Sequence, residues 1–224
     1  MNFLSHYYYE RYSPHAECVL GALLPDLLKN VDKRFNFHPQ RFEEILFAHF
    51  KTMHISEGWY RHVQVDKVFH GSDFFLKHCH VLRKELVPLL TNYPIRPSFM
   101  AHIAVELLLD HLLIDDNVVN PLRLYEQLEQ VNSATINRYL NTLGITDTSS
   151  FFSFYDRFLS SRYILDYADI NVIPYALFNI CKRLWSFDIR ENDVKNIAEL
   201  LSEYKNNNLS DFRGVFIDIN NQLD

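Results

Sequence analysis

Ala101-His102-Ile-Ala-Val-Glu106-Leu-Leu-Leu-Asp110-His111-Leu-Leu-Ile114 is the stretch on which the fold turns. A helix that is apolar on nearly every side belongs inside a core, and this one carries His102, Glu106 and Asp110 at i, i+4 and i+8, along one stripe. A buried carboxylate is costly unless it is paired or holds a metal. About forty residues upstream, Gly58-Trp-Tyr-Arg-His62-Val-Gln-Val-Asp66-Lys-Val-Phe-His70 repeats the spacing with His62, Asp66 and His70. Two helices with metal-capable stripes, one of them buried, predict an all-α protein whose polar groups gather around a divalent cation. The competing reading of Glu106 and Asp110 is a buried structural network with Arg61 or another base.

Outward from these stretches, prolines and caps punctuate a run of helices. Ser13-Pro14 opens one that holds Val19 to Leu24 and is expected to bend or end at Pro25-Asp26. Pro39 opens another with Phe42, Ile45, Leu46, His49 and Phe50 in helical spacing, and Ile55 to Phe69 forms the next. Gly71-Ser72 reads as a stop and a cap before Phe74 to Leu90, and Pro97-Ser98 opens the buried helix. Asn120-Pro121 caps Leu122 to Val131, and Ile136 to Leu143 closes at Gly144. Phe151 to Leu165, Val172 to Trp185 and Val194 to Tyr204 complete the set, with a loosely held tail from Asn206. The expectation is one all-α domain over residues 1–224, a bundle of about eight to ten helices.

With 224 residues, 48% of them hydrophobic, the chain can bury a sizeable core. Five glycines are too few for a fold built on tight turns. The net charge of −6 gives no basic surface for nucleic acid, so no nucleic-acid partner is expected. Cys18, Cys79 and Cys181 are odd in number and form no C-x-x-C pair, which suits reduced thiols rather than a disulfide frame. No basic leader is seen, and no run is read as long enough for a membrane span, so the chain reads as soluble and cytoplasmic, without a membrane partner.

All eleven histidines lie at or before position 111, which makes the N-terminal half the chemical half. Imidazole with carboxylate suits Mn²⁺, Mg²⁺, Fe²⁺ or Zn²⁺ at a hydrolytic site. The candidates are His6, Asp26, His62, Asp66, His70, His102, Glu106, Asp110 and His111. His15, His38, His49, His54, His78 and His80 are set aside as ordinary core or surface residues. No G-x-S-x-G, Gly-rich phosphate loop or H-E-x-x-H occurs, which leaves serine hydrolases, P-loop enzymes and zincins without support. Cys79 lies between His78 and His80, but neighbours on a helix point apart, so it is not read as a nucleophile.

Taken in order, Met1-Asn-Phe-Leu-Ser-His6, Gly21-Ala-Leu-Leu-Pro-Asp26, Gly58-x-x-x-His62-x-x-x-Asp66, Asp110-His111-Leu-Leu, Tyr155-Asp-Arg-Phe-Leu and Tyr167-x-Asp169-x-x-x-Ile173 resemble the acyl carrier protein phosphodiesterases through most of the chain. That family is similar to the HD-type phosphohydrolases, so the resemblance implies an HD-like helical fold. It also implies manganese-dependent hydrolysis of the phosphodiester that joins 4'-phosphopantetheine to a serine of holo acyl carrier protein, a partner from fatty acid biosynthesis. By resemblance, His6, Asp26, His62, Asp66, Asp110 and His111 match the family's polar positions. Val63 stands where a basic residue is expected, and His70 where a further carboxylate is expected. His70 or His111 is the candidate proton donor. Arg61 and Lys67, with Lys51, Arg83 and Lys84, are the basic groups that could meet an acidic carrier protein. Two alternatives stay open: an HD-type phosphohydrolase of a nucleotide or other small phosphate ester, and a helical binding protein without catalysis.

Overall fold

A computed structural model describes residues 1–223, and among them no strand occurs. Twelve α-helices follow in order, joined by short 3-10 turns: α1 (Phe3–Glu10), α2 (Ala16–Val31), α3 (Glu43–Phe47), α4 (Phe50–Gly71), α5 (Asp73–Leu86), α6 (Pro97–Asp115), α7 (Pro121–Gln130), α8 (Ser133–Thr142), α9 (Ser149–Ser161), α10 (Ile173–Lys182), α11 (Glu191–Asn208) and α12 (Arg213–Leu223). The all-helical class is the one read from the sequence. Two expected caps are in place, since Ser72 accepts from the Phe75 N–H and Asn120 from the Leu122 N–H, but Ser13 is not one: α2 starts at Ala16 with His15 before it and no side-chain cap.

The chain separates into two compact units. One comprises residues 1–2, 66–118 and 166–224, and the other residues 3–65 and 119–165. In the first, α6 packs against α5 and α10, and α10 packs against α11. Eleven of the nineteen residues of α6 are buried, from Met100 to Leu113, as its apolar circumference requires. By length and composition α6 could cross a membrane, against the expectation that no run is long enough; 61% of its most apolar window is buried within the protein. The tail is also not loose. Val215, Phe216 and Ile219 of α12 are buried, because their spacing gives the last helix one apolar face.

The second unit centres on α2, which packs against α1, α7 and α9. It does not end at Pro25. Leu23, Leu24, Leu27 and Leu28 are all buried on either side of the proline, so core packing carries the helix across the missing N–H. The crossing of α2 with α4 depends on two glycines. A Cβ at Gly21 would fall on the Ile55 carbonyl, and one at Gly58 on the Cys18 carbonyl, so only hydrogen fits at either position. Helix α4 begins at Phe50, because the run opened by Pro39 stops at Phe47 and leaves His49 in a bend.

Candidate metal centre

Glu106 is the centre of the polar cluster in the first unit. Its Oε1 lies 3.1 Å from His70 Nε2 and 3.1 Å from His102 Nε2. It also lies 3.1 Å from the Met1 ammonium nitrogen. The i,i+4 stripe of α6 puts His102 over Glu106, and the last turns of α4 bring His70 to the same carboxylate. His70, His102 and Glu106 each offer a ligand atom within 4.8 Å of the others, a spacing that suits one cation. Phe75 closes the cluster with its ring near edge-on to both imidazoles.

The acidic groups around this cluster have high demand for positive charge. Burial works against ionisation of Glu106, yet the N-terminal ammonium and the hydrogen bonds from His102 and His70 outweigh it, and its carboxyl sits well below the usual carboxylate range. Asp66 takes the same ammonium at 2.6 Å, and fully buried Asp110 accepts from Asn2 Nδ2 at 2.9 Å. The sequence pattern offered Arg61 as a structural partner for Glu106; the base that meets it is instead the α-amino group, which no side-chain pattern reveals. The other ring nitrogen of His70, Nδ1, bonds the Asp66 carbonyl at 2.8 Å and so fixes the ring.

His111 is placed differently from its neighbour Asp110. Its Nδ1 donates to the Tyr167 carbonyl at 2.8 Å, and Nε2 lies 3.4 Å from Lys205 Nζ. Burial is the main influence that lowers its pKa, so the ring is held neutral with both nitrogens engaged. Only 3% of its side chain is exposed, against 32% for His70. Between the two candidate proton donors, His70 is the accessible one.

In the second unit, His6 and His62 stack face to face with ring centroids 3.8 Å apart. His62 Nδ1 bonds the Ala22 carbonyl at 2.7 Å, and its Nε2 faces Asp26 at 4.0 Å. His6, Asp26 and His62 come from three helices, and His62 is the one in contact with each of the others. Asp66 follows His62 by one turn on the same continuous helix. Arg61 is half-buried with its charge toward Glu10 and Tyr9, whereas Lys67 is exposed. Lys51 pairs with Glu17 at 3.5 Å.

A second group of ligand types in this unit is missed when histidines are read one at a time. Cys18, His54 and Glu57 also offer ligand atoms within 4.8 Å of one another. Part of the signal is present as H-x-x-E at His54-Glu57, a pair on one face of α4, while Cys18 comes from α2.

No family model, curated protein or solved structure matches the chain.

Proposed function

We propose that this protein is a metal-dependent phosphodiesterase that releases 4'-phosphopantetheine from a serine of holo acyl carrier protein. The observation that carries the metal-dependent part is the Glu106 carboxylate, 13% exposed, between His70 and His102, a donor set of nitrogen and oxygen with no thiolate. The carrier-protein substrate rests on the sequence resemblance. Manganese fits the set, and Mg²⁺, Fe²⁺ or Zn²⁺ share its chemistry.

His102 and Glu106 are the groups to hold a cation in the first unit, with Asp66 and Asp110 adding negative charge. In the second, His62 and Asp26 offer a nitrogen and an oxygen 4.0 Å apart, and His6 can join them only by leaving its stack on His62. A bound cation supplies a more acidic water and neutralises phosphoryl oxygen charge. The serine oxygen must gain a proton as the phosphorus–oxygen bond breaks, and water supplies the new oxygen on phosphorus. His70 is the side chain suited to give that proton, since its ring is fixed by the Asp66 carbonyl and remains accessible. Lys67 is exposed, as are Lys51, Arg83 and Lys84, whereas Arg61 is half-buried.

The test is incubation of the purified protein with holo acyl carrier protein and manganese, with mass spectrometry reading loss of the phosphopantetheine arm. Loss of the arm with wild type, and none with Glu106→Gln, is expected. Turnover of small phosphate esters with an untouched carrier protein would replace this substrate with a nucleotide-like one. No hydrolysis with any of the four ions would leave a binding protein and overturn the reading.

A further inference from the structure

We propose a second, sulfur-containing cation site in the second unit, built from Cys18 on α2 and His54 and Glu57 on α4. The Cys18 Sγ lies 4.0 Å from Glu57 Oε2, and His54 Nδ1 lies 2.7 Å from the same oxygen. All three ligand atoms fall within 4.8 Å of one another, so an ion can reach all of them after the short His54–Glu57 hydrogen bond opens by a few tenths of an ångström. The Gly21 and Gly58 crossing is what brings these two helices close enough, since it sets α2 against α4 backbone to backbone.

The nitrogen that faces the cluster is Nδ1, against Glu57 Oε2, so Nδ1 is the donor to the ion and the ring proton sits on Nε2. Nε2 is buried with no hydrogen-bond partner, so no bond is lost when the proton stands there, and His54 itself is 7% exposed. Glu57, whose side chain is 47% exposed, leaves the cluster open to solvent on one side.

The ligand types name the ion. One thiolate, one imidazole and one carboxylate favour zinc or another thiophilic divalent ion over manganese or magnesium. His15 stacks on His54 with centroids 3.8 Å apart and rings 13° from parallel. An ion lies in the plane of each imidazole that binds it, so His15 cannot join without leaving the stack. Three protein ligands and a water in the fourth position result. Burial raises the Cys18 thiol to about 11, and nearby Glu10, Glu57 and Glu17 add to that, so the incoming ion displaces a proton from sulfur.

Cobalt(II) titration of the full chain tests the site, because only a sulfur ligand gives a near-ultraviolet thiolate-to-cobalt band. Neither polar set of the proposed hydrolytic function contains sulfur, so the two ideas fail separately: activity reports one and this band the other. The wild type and Cys79→Ser should show the band, and Cys18→Ser should lose it while keeping its helical circular dichroism. Glu57→Gln, which removes the carboxylate ligand at an exposed side chain, should weaken cobalt binding by more than about 10-fold. A wild type without the band, a Cys18→Ser variant that keeps it, or unchanged affinity in Glu57→Gln would overturn the proposal.

Discussion

Glu106 accepts hydrogen bonds from two imidazoles and faces an ammonium group, so replacing its carboxylate with an amide removes charge from three partners at once. Glu106→Gln should lower stability by about 1–3 kcal/mol, the usual cost of disturbing buried hydrogen bonds to charged groups. Urea unfolding measures it, and an unchanged midpoint would show the cluster to be loosely coupled. His78 makes a separate prediction. It is buried against the Tyr204 hydroxyl at 2.7 Å, and burial, with a smaller contribution from Lys77, lowers it from 6.5 to about 4. Because the folded value is depressed, the unfolded chain binds the proton first as pH falls. The stabilisation is fully present above about pH 6.5 and is lost on descent toward pH 4, up to about 3 kcal/mol. His78→Gln should flatten that part of the urea midpoint against pH; a profile identical to wild type would sink the assignment. His111, also lowered by burial, changes stability with the same sign.

At the level of helices, the α2 and α4 crossing makes the sharpest forecast. Gly21→Ala and Gly58→Ala each drive a methyl group into backbone of the facing helix, and backbone moves less readily than a side chain. Each should cost about 1–3 kcal/mol, toward the upper end. Gly71, the last residue of α4, has open space where a Cβ would stand, with nothing within 4 Å, so Gly71→Ala should be neutral or stabilise by up to about 1 kcal/mol. Thermal melts of the three variants separate packing from propensity. Most helices are legible because prolines, Ser72 and Asn120 mark their starts and the apolar period marks their inner faces. Pro25 misleads because a break signal is local, while the buried leucines around it are held by other helices. The α12 face of Val215, Phe216 and Ile219 is readable in principle, but its polar neighbours make the tail look solvated. For the site, the i,i+4 stripes announce His102, Glu106, Asp66 and His70. The ammonium on Glu106 does not show, and of the Cys18–His54–Glu57 set only the His54-Glu57 pair does, since Met1 and Cys18 are far in sequence from the residues they meet.

For the molecule as a whole, binding and folding are linked. If manganese binds the folded chain alone, at about 100 times its Kd it should stabilise by about 2.7 kcal/mol, seen as a rise in Tm that Glu106→Gln diminishes. A Tm indifferent to every divalent ion would contradict the proposed metal dependence. Deleting residues 213–224 removes three buried apolar side chains, worth about 1.5–3 kcal/mol each. That loss is comparable with the entire stability of a typical domain, so the shortened chain should lose the cooperative unfolding of the first unit. The glycine crossing has a last consequence for anyone randomising this gene product. In a library selected for folded protein, positions 21 and 58 should be strongly enriched in glycine, and pairing two changes should not relieve the cost, because what each hydrogen atom touches is a peptide carbonyl that no codon can alter.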